Sequence, residues 1–222
     1  MEIISGLQKT ILENFSAVKD SEQFYLTGGT ALAQFYLKHR RSEDLDFFTA
    51  IMEIILPFSF NLEGHLILQG LSVRRLRGLN SFVELQVGRG SESTIMHLAQ
   101  DAAFRFEETK YFPEYPQVRI DNLVDIASNK LLALFARATL RDFIDVFFLV
   151  DKSNFSTDQL VELARKKDPG FDLYWLGVAL ERIQQFNQDS LDMLLLAQPV
   201  QFRQLAAFFN QWEKQIAEKI KQ

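Results

Sequence analysis

Apolar residues return at helical spacing early in the chain, at Ile4, Leu7, Ile11, Leu12 and Phe15, and predict an amphipathic helix over 2–18. A polar stretch, 19–22, ends it. Phe24, Tyr25 and Leu26 then read as a buried strand, stopped by Gly28 and Gly29. Beyond the glycines, Ala31, Leu32, Phe35 and Tyr36 suit one face of a short helix, and a second strand is expected over 45–48. From 71 to about 107 the pattern shortens to strand-like segments, 71–76, 82–87, 94–98 and 104–106, with Gly78, Gly88 and Gly90 near the turns. These suggest antiparallel ribbons added to the first two strands.

The connection 112–116, which carries Pro113 and Pro116, marks a shift in composition; beyond it the chain is helical in period. Helices are expected over 121–136 with Asp121 as N-cap, then 140–149, 172–186, 190–197 and 202–220, with breaks at Asp168-Pro169-Gly170 and Pro199. No internal repeat and no low-complexity tract interrupts this order. It predicts an α+β chain, with an α/β half over 1–116 and a helical half over 117–222.

Composition narrows the functional classes. Of 222 residues 47% are apolar and 21 are Phe, so an aromatic-rich folded core is expected rather than disorder. With no cysteine, disulfides and thiolate metal sites are excluded, and a reducing, cytoplasmic setting is expected. No basic stretch followed by an apolar run opens the sequence, and no long uncharged apolar run occurs, which argues against secretion and membrane spanning. The net charge of −5 argues against holding nucleic acid by bulk electrostatics. Two small basic clusters, Lys38-His39-Arg40-Arg41 and Arg74-Arg75-x-Arg77, are either solvated faces or patches for a transient RNA encounter.

The chemistry concentrates between Gly28 and Asp46. Side chains alternate along a strand, so Asp44 and Asp46 share one face while Leu45 points into the core. Two carboxylates about 4 Å apart repel by roughly 4 kcal/mol at an effective dielectric of about 20, and a divalent cation, Mg2+ or Mn2+, offsets that cost. Upstream, the Gly28-Gly29-Thr30 turn lets backbone approach a phosphate, Ser42 can add a hydroxyl, and Arg40 a charge-assisted contact. Each fragment alone reads as a turn or a solvated face. Their conjunction within about twenty residues is harder to obtain by accident.

Leu26-Thr27-Gly28-Gly29-Thr30-Ala31-Leu32, followed by His39-Arg40-x-Ser42-x-Asp44-Leu45-Asp46-Phe47-Phe48, resembles the AbiEii/AbiGii-type nucleotidyltransferases, the toxin half of bacterial abortive-infection toxin–antitoxin systems. The resemblance implies a polymerase-β-like core, a mixed sheet with flanking helices, with Asp44 and Asp46 as metal ligands and Gly28, Gly29 and Thr30 at the nucleotide phosphates. It continues through Asn129-Lys130-Leu131-x-Ala133, Arg137 and Arg141-Asp142-Phe143-Ile144-Asp145, and covers roughly 24–149. It implies functional roles for Lys130, Arg141, Asp142 and Asp145, and a helical half that completes the active-site cleft.

Read from spacing alone, Lys130 and Arg137 fall on nearly one helical face, and Arg141 stands four residues before Asp145. Bordered by Leu131, Leu134, Phe143, Phe147 and Phe148, these charges make either an ion-pair network pinning two helices or a cationic wall for a triphosphate. In the second reading Asp142 and Asp145 hold the cations in place or act in proton transfer.

The chain departs from the family pattern at a later strand, where His97 stands in place of the expected acid. A third metal-ligating oxygen must then come from Glu84 or Asp101. His65 reads as a surface or packing residue. The expected function is transfer of a nucleoside monophosphate from an NTP to a hydroxyl of RNA, such as tRNA, or of protein, with a separate antitoxin as partner and no membrane. The alternative is a nucleotide- or partner-binding module that kept the scaffold and lost catalysis. A purely structural helical adaptor would leave the Gly-Gly and Asp-x-Asp unit unexplained.

Overall fold

The structure, a computed structural model, describes residues 2–102 and 104–221; Met1, Ala103 and Gln222, and with them the outer ends of both expected halves, lie outside the described residues. The chain forms two compact units. The first comprises 1–36 and 41–122, the second 37–40 and 123–222.

The first unit is built on a seven-stranded mixed sheet of β1 (Tyr25–Thr27), β2 (Asp44–Thr49), β3 (Ser72–Gly78), β4 (Phe82–Arg89), β5 (Glu92–Gln100), β6 (Lys110–Phe112) and β7 (Tyr115–Ile120). Their order is β3-β4-β5-β2-β1-β7-β6. β2 pairs with β5, and β1 with β7, in parallel; the remaining neighbours are antiparallel. Period-two alternation sorts the strands into two faces. Leu45, Phe47, Val83, Leu85, Val87, Met96 and Leu98 are buried, while Asp44, Asp46, Glu84, Gln86 and His97 are half-buried on the other side.

Two helices pack against this sheet, α1 (Gly6–Phe15) and α3 (Met52–Leu68). α1 starts late, at Ser5, because Ser5 and Gln8 bond reciprocally to each other's backbone and satisfy two otherwise orphaned N–H groups. Its Phe15 stacks on Phe47 of β2 at 3.8 Å between centroids, and Phe24 stacks on Phe58 of α3 at 4.3 Å. Burying each such ring contributes about 2–3 kcal/mol. A short helix, α2 (Gly28–Ala31), follows β1 and widens into a π-helical turn over Leu32–Leu37.

Three features of this unit differ from the sequence pattern. α3 is apolar on every side and has Pro57 inside it, so it offers neither the amphipathic period nor the composition of a helix, although helical it is. The segment 104–106 holds no strand among its described residues. The connection expected at 112–116 instead turns the β6–β7 hairpin, and Pro116 stands inside β7, where its missing N–H disguised the strand.

The second unit is helical: α4 (Leu123–Arg137), α5 (Leu140–Lys152), α6 (Thr157–Lys167), α7 (Leu173–Glu181) and α8 (Phe202–Lys221). Ser156 with Gln159 caps α6, and Asp172 accepts from Tyr174 and Trp175 N–H to cap α7. Phe143 of α5 meets Phe209 of α8 at 4.8 Å and Phe186 at 6.2 Å, which makes this core as aromatic as the first. The helices expected over 172–186 and 190–197 are shorter. A tight 3-10 turn, Arg182–Gln185, replaces the end of the first, and over 190–197 a 3-10 turn, Leu191–Leu195, stands in place of the α-helix. Residues 37–40 are fastened here by N–H groups of Ala197 and Gln198 donating to the His39 carbonyl. Among the described residues no helix is long and apolar enough to cross a membrane.

Candidate active site

Strand register assembles a polar row across the open face of the sheet. Thr27 of β1 pairs with Asp46 of β2, Asp46 with His97 of β5, His97 with Glu84 of β4, and Glu84 with Arg77 of β3. Cross-strand partners lie on one face, so five consecutive strands deliver five polar side chains to one line. His97 Nδ1 is 2.8 Å from Asp46 Oδ1, His97 Nε2 is 4.0 Å from Glu84 Oε1, and Arg77 Nε is 3.2 Å from Glu84 Oε2. The hydrogen bond to Asp46 raises the His97 pKa above its ordinary value against the opposing effect of burial.

The glycine turn closes on the same carboxylate. Gly28 has φ 69°, in the left-handed region, and a Cβ placed on it would fall 2.2 Å from Asp46 Oδ2. Only glycine fits. The Thr27 hydroxyl donates to Asp121 Oδ2 at 2.6 Å, and the fully buried Thr30 hydroxyl donates to the Asp44 carbonyl, so turn and strand are bonded together. Thr30 was expected at the phosphates; its hydroxyl instead ties the turn to β2. Asp44 and Asp46 themselves lie on one side of β2 on either side of buried Leu45, as the alternation required.

Two candidate third ligands separate clearly. Glu84 stands in the Asp46 row, one strand beyond His97. Asp101 does not. It lies four residues past His97, about 13 Å along the strand direction, and its carboxylate takes the Tyr25 hydroxyl and Arg105 Nη1. Arg105 also binds Asp121 and lies over the Tyr25 ring at 4.3 Å, forming a network that sequence reasoning missed because Asp121 reads as a helix cap. Burial, then the bond to Asp101, pushes the Tyr25 pKa up. His65 is half-buried in the last turn of α3.

The second unit has its own charged centre around Asp145, which is fully buried. Oδ1 accepts from Arg40 Nε at 2.6 Å and lies 2.7 Å from His39 Nε2, while Oδ2 accepts from Arg40 Nη2 at 2.9 Å and meets Lys130 Nζ at 2.7 Å. Burial pushes this carboxyl upward, but the charges of Arg40 and Lys130 and the bonds from Arg40 and His39 outweigh it and hold the pKa well below the usual range. Burial lowers the His39 pKa against the opposing hydrogen bond and charge of Asp145. Arg40, expected at a phosphate, is buried with its fork on Asp145.

Asp142, also buried, accepts from both Arg137 Nε and Nη2 at 2.9 Å and from Thr139 N and Oγ1 at the start of α5. Although burial opposes it, the bonds from Arg137 and Thr139 keep its pKa low. Arg141 lies 3.6 Å from Asp192 rather than serving as the ion partner of Asp145. A four-residue spacing permitted the Arg141–Asp145 pair, but Lys130, Arg40 and His39 fill the Asp145 oxygens first. Ser42 donates its N–H to Ile3 and receives the Gln8 side chain on its carbonyl, which makes it part of the approach to β2.

Comparison with known proteins bears on family and fold. A family model described as nucleotidyl transferase AbiEii toxin, type IV toxin–antitoxin system, matches residues 10–67 and 81–218. An uncharacterized protein of Aquifex aeolicus, aq_aa25, is 31% identical over 172 residues, spanning 74% of this chain and 76% of the relative. In fold the chain resembles the crystal structure of a proposed nucleotidyltransferase from H. pylori, at TM-score 0.63 and 19% identity over 97% of this chain and 93% of that one. It also resembles MenT4, a nucleotidyltransferase toxin of Mycobacterium tuberculosis H37Rv, at TM-score 0.50 and 18% identity over 95% and 85% of the two chains. On its sequence match along most of its length, this chain belongs to the AbiEii nucleotidyl transferase toxin family.

Proposed function

We propose that the chain transfers a nucleoside monophosphate from an NTP to a hydroxyl acceptor, on RNA such as tRNA or on protein, and that a cognate antitoxin restrains it. The observation that carries this reading is the fit of Gly28 against Asp46: a turn suited to a triphosphate and an acid suited to a metal share one spot where no Cβ can enter. Asp44 and Asp46 are the metal ligands, Gly28 and Gly29 admit the phosphates, and Thr30 keeps the turn seated on β2.

No three His, Asp or Glu side chains among the described residues form a ready-made metal cage. The donors nevertheless suit a hard cation, because Mg2+ is commonly held by one or two carboxylates together with substrate phosphates. When bound, the ion supplies charge neutralisation at the phosphoryl group and lowers the pKa of the attacking hydroxyl. In the second unit Asp145 and Asp142 are positioning residues, fixing Lys130 and Arg137 respectively.

Incubation with each labelled NTP and total RNA, with Mg2+ or Mn2+, tests the reading. Transfer by the wild type and its loss in Asp46→Ala is the expected result. Transfer that ignores the substitution removes the assignment. The His97–Asp46 bond favours one competing reading, a scaffold that binds nucleotide without transferring it; NTP binding with no transfer under any condition would select it.

A further inference from the structure

Each acid of β2 heads a row of paired residues that crosses the open face of the sheet to its edge strand. From Asp46 the row runs through His97 and Glu84 to Arg77; from Asp44 it runs through Ile95 and Gln86 to Arg74. Both rows end in an arginine on β3. Neighbouring strands lie about 4.8 Å apart, so each arginine stands about 14 Å across the sheet from its acid.

Plain strand alternation cannot match these ends. Asp44 and Asp46 are two residues apart and share a face, whereas Arg74 and Arg77 are three apart and would face opposite ways. The register between β3 and β4 shifts between Arg75 and Arg77, and this bulge turns Arg77 back to the face of Arg74. Arg75, between them, goes the other way: Ser59 and Glu63 of α3 take its guanidinium, which lies 4.2 Å over the Phe60 ring.

Both open-face arginines keep donors for a ligand. Arg74 is exposed and uses Nη2 on Gln86 Oε1 at 2.7 Å; Arg77, whose side chain is 70% exposed, uses Nε on Glu84 Oε2 at 3.2 Å. The partner of Arg74 is neutral, while Glu84 offsets part of the Arg77 charge. Beside Arg74 a recess is lined by Ser72, Gln86, Ser91, Ser93 and one acid, Glu92, so hydroxyl donors stand next to the guanidinium.

Resting on the proposed function above, we propose that Arg74 and Arg77 clamp the phosphates of a single-stranded RNA end, selecting RNA over protein as the acceptor whose hydroxyl reaches Asp44 and Asp46. Guanidinium groups suit phosphate through charge-assisted, bidentate bonds. A stacked strand advances about 3.4 Å per nucleotide, so the clamp holds a phosphate about four nucleotides from the reacting end. In a chain of net charge −5, such local contacts rather than the overall field must hold the strand. Both arginines act away from the reacting atoms and are positioning residues.

The test measures binding of a labelled single-stranded oligoadenylate to the full chain over a range of salt, without NTP or metal. Wild-type binding should weaken as salt rises. Arg74→Gln should weaken it by about tenfold, the worth of one charged hydrogen bond, and Arg77→Gln by less. Each should flatten the salt slope by about 0.7, the value for one phosphate contact on a single strand, while Arg75→Gln leaves the slope unchanged. Circular dichroism confirms the fold of each variant. No RNA binding by the wild type, or a slope that Arg74→Gln and Arg77→Gln leave unmoved, would overturn the clamp. Polyglutamate competing as well as RNA would overturn it too, in favour of a protein acceptor. The wild-type binding and competition need no substitution, so a variant that fails to fold does not rescue the proposal. No transfer step enters the measurement, so its failure is distinct from failure of the transferase reading, which the labelled-NTP incubation reports.

Discussion

Asp46 and Asp145 are both acids flanked by apolar residues in sequence, yet their environments are opposites. Asp145 is fully buried and its two oxygens receive Arg40, Lys130 and His39, all from the second unit. Asp46 is a quarter exposed, touches one imidazole, and has its other oxygen pressed to a glycine. A carboxylate bonded to cations on both oxygens in a dry interior has no oxygen to offer a ligand; one left partly open beside a glycine turn remains accessible from solvent. Chemical likeness in the sequence therefore conceals two different physical roles.

Removing the buried acid should have the largest effect. Asp145→Ala leaves Arg40 and Lys130 without their counter-charge and should destabilise the chain by about 3–5 kcal/mol, read by urea unfolding; a loss below about 1 kcal/mol would mean the centre is dispensable. The same residue sets an acid limit. Because its folded pKa lies well below its unfolded value of about 3.9, its contribution is complete above that value and is lost as pH falls from about 4 toward the folded pKa. Stability of the wild type should drop in that window, and an Asp145→Asn chain should have a shallower slope.

Next in size is the turn. Gly28→Ala meets both a left-handed backbone and the Asp46 carboxylate at 2.2 Å, whereas Gly90→Ala meets the same backbone strain, φ 62°, with nothing within 4 Å. Each should cost about 1–3 kcal/mol of stability, but only Gly28→Ala should lower nucleotide transfer, by about 100-fold through displacement of Asp46. Equal activity of the two variants would break the link between turn and acid. The smallest effect belongs to Arg137→Ala. That side chain is 62% exposed and Thr139 still bonds Asp142, so thermal unfolding should reveal a loss under about 1 kcal/mol.

Periodicity made most of the sheet and the helical half legible, because β2, β4 and β5 alternate cleanly and α5 and α8 carry one apolar face each. It failed where burial is not one-sided. α3 is apolar all round, and β7 contains a proline, so neither follows a simple period. The Gly28 to Asp46 unit was readable since its members lie close in sequence and strand alternation fixes their side. Of the partners of Asp145, Lys130 was among the cations that the sequence reading gave to Asp142 and Asp145, whereas His39 and Arg40 were not legible because they come from about a hundred residues away. The Asp101–Arg105–Asp121 network was hidden for another reason: Arg105 stands in the connection after β5, outside any strand, and Asp121 reads as a helix cap.

On the proposed function, Asp44 and Asp46, beside the Gly28 turn, hold a metal ion and through it an NTP. Equilibrium binding of a non-hydrolysable NTP, with and without Mg2+ or Mn2+, compares the wild type with Asp44→Asn, a change that preserves shape and removes charge. Metal should tighten NTP binding to the wild type, and Asp44→Asn should abolish that gain. Equal metal-dependent affinity in both chains would contradict the account.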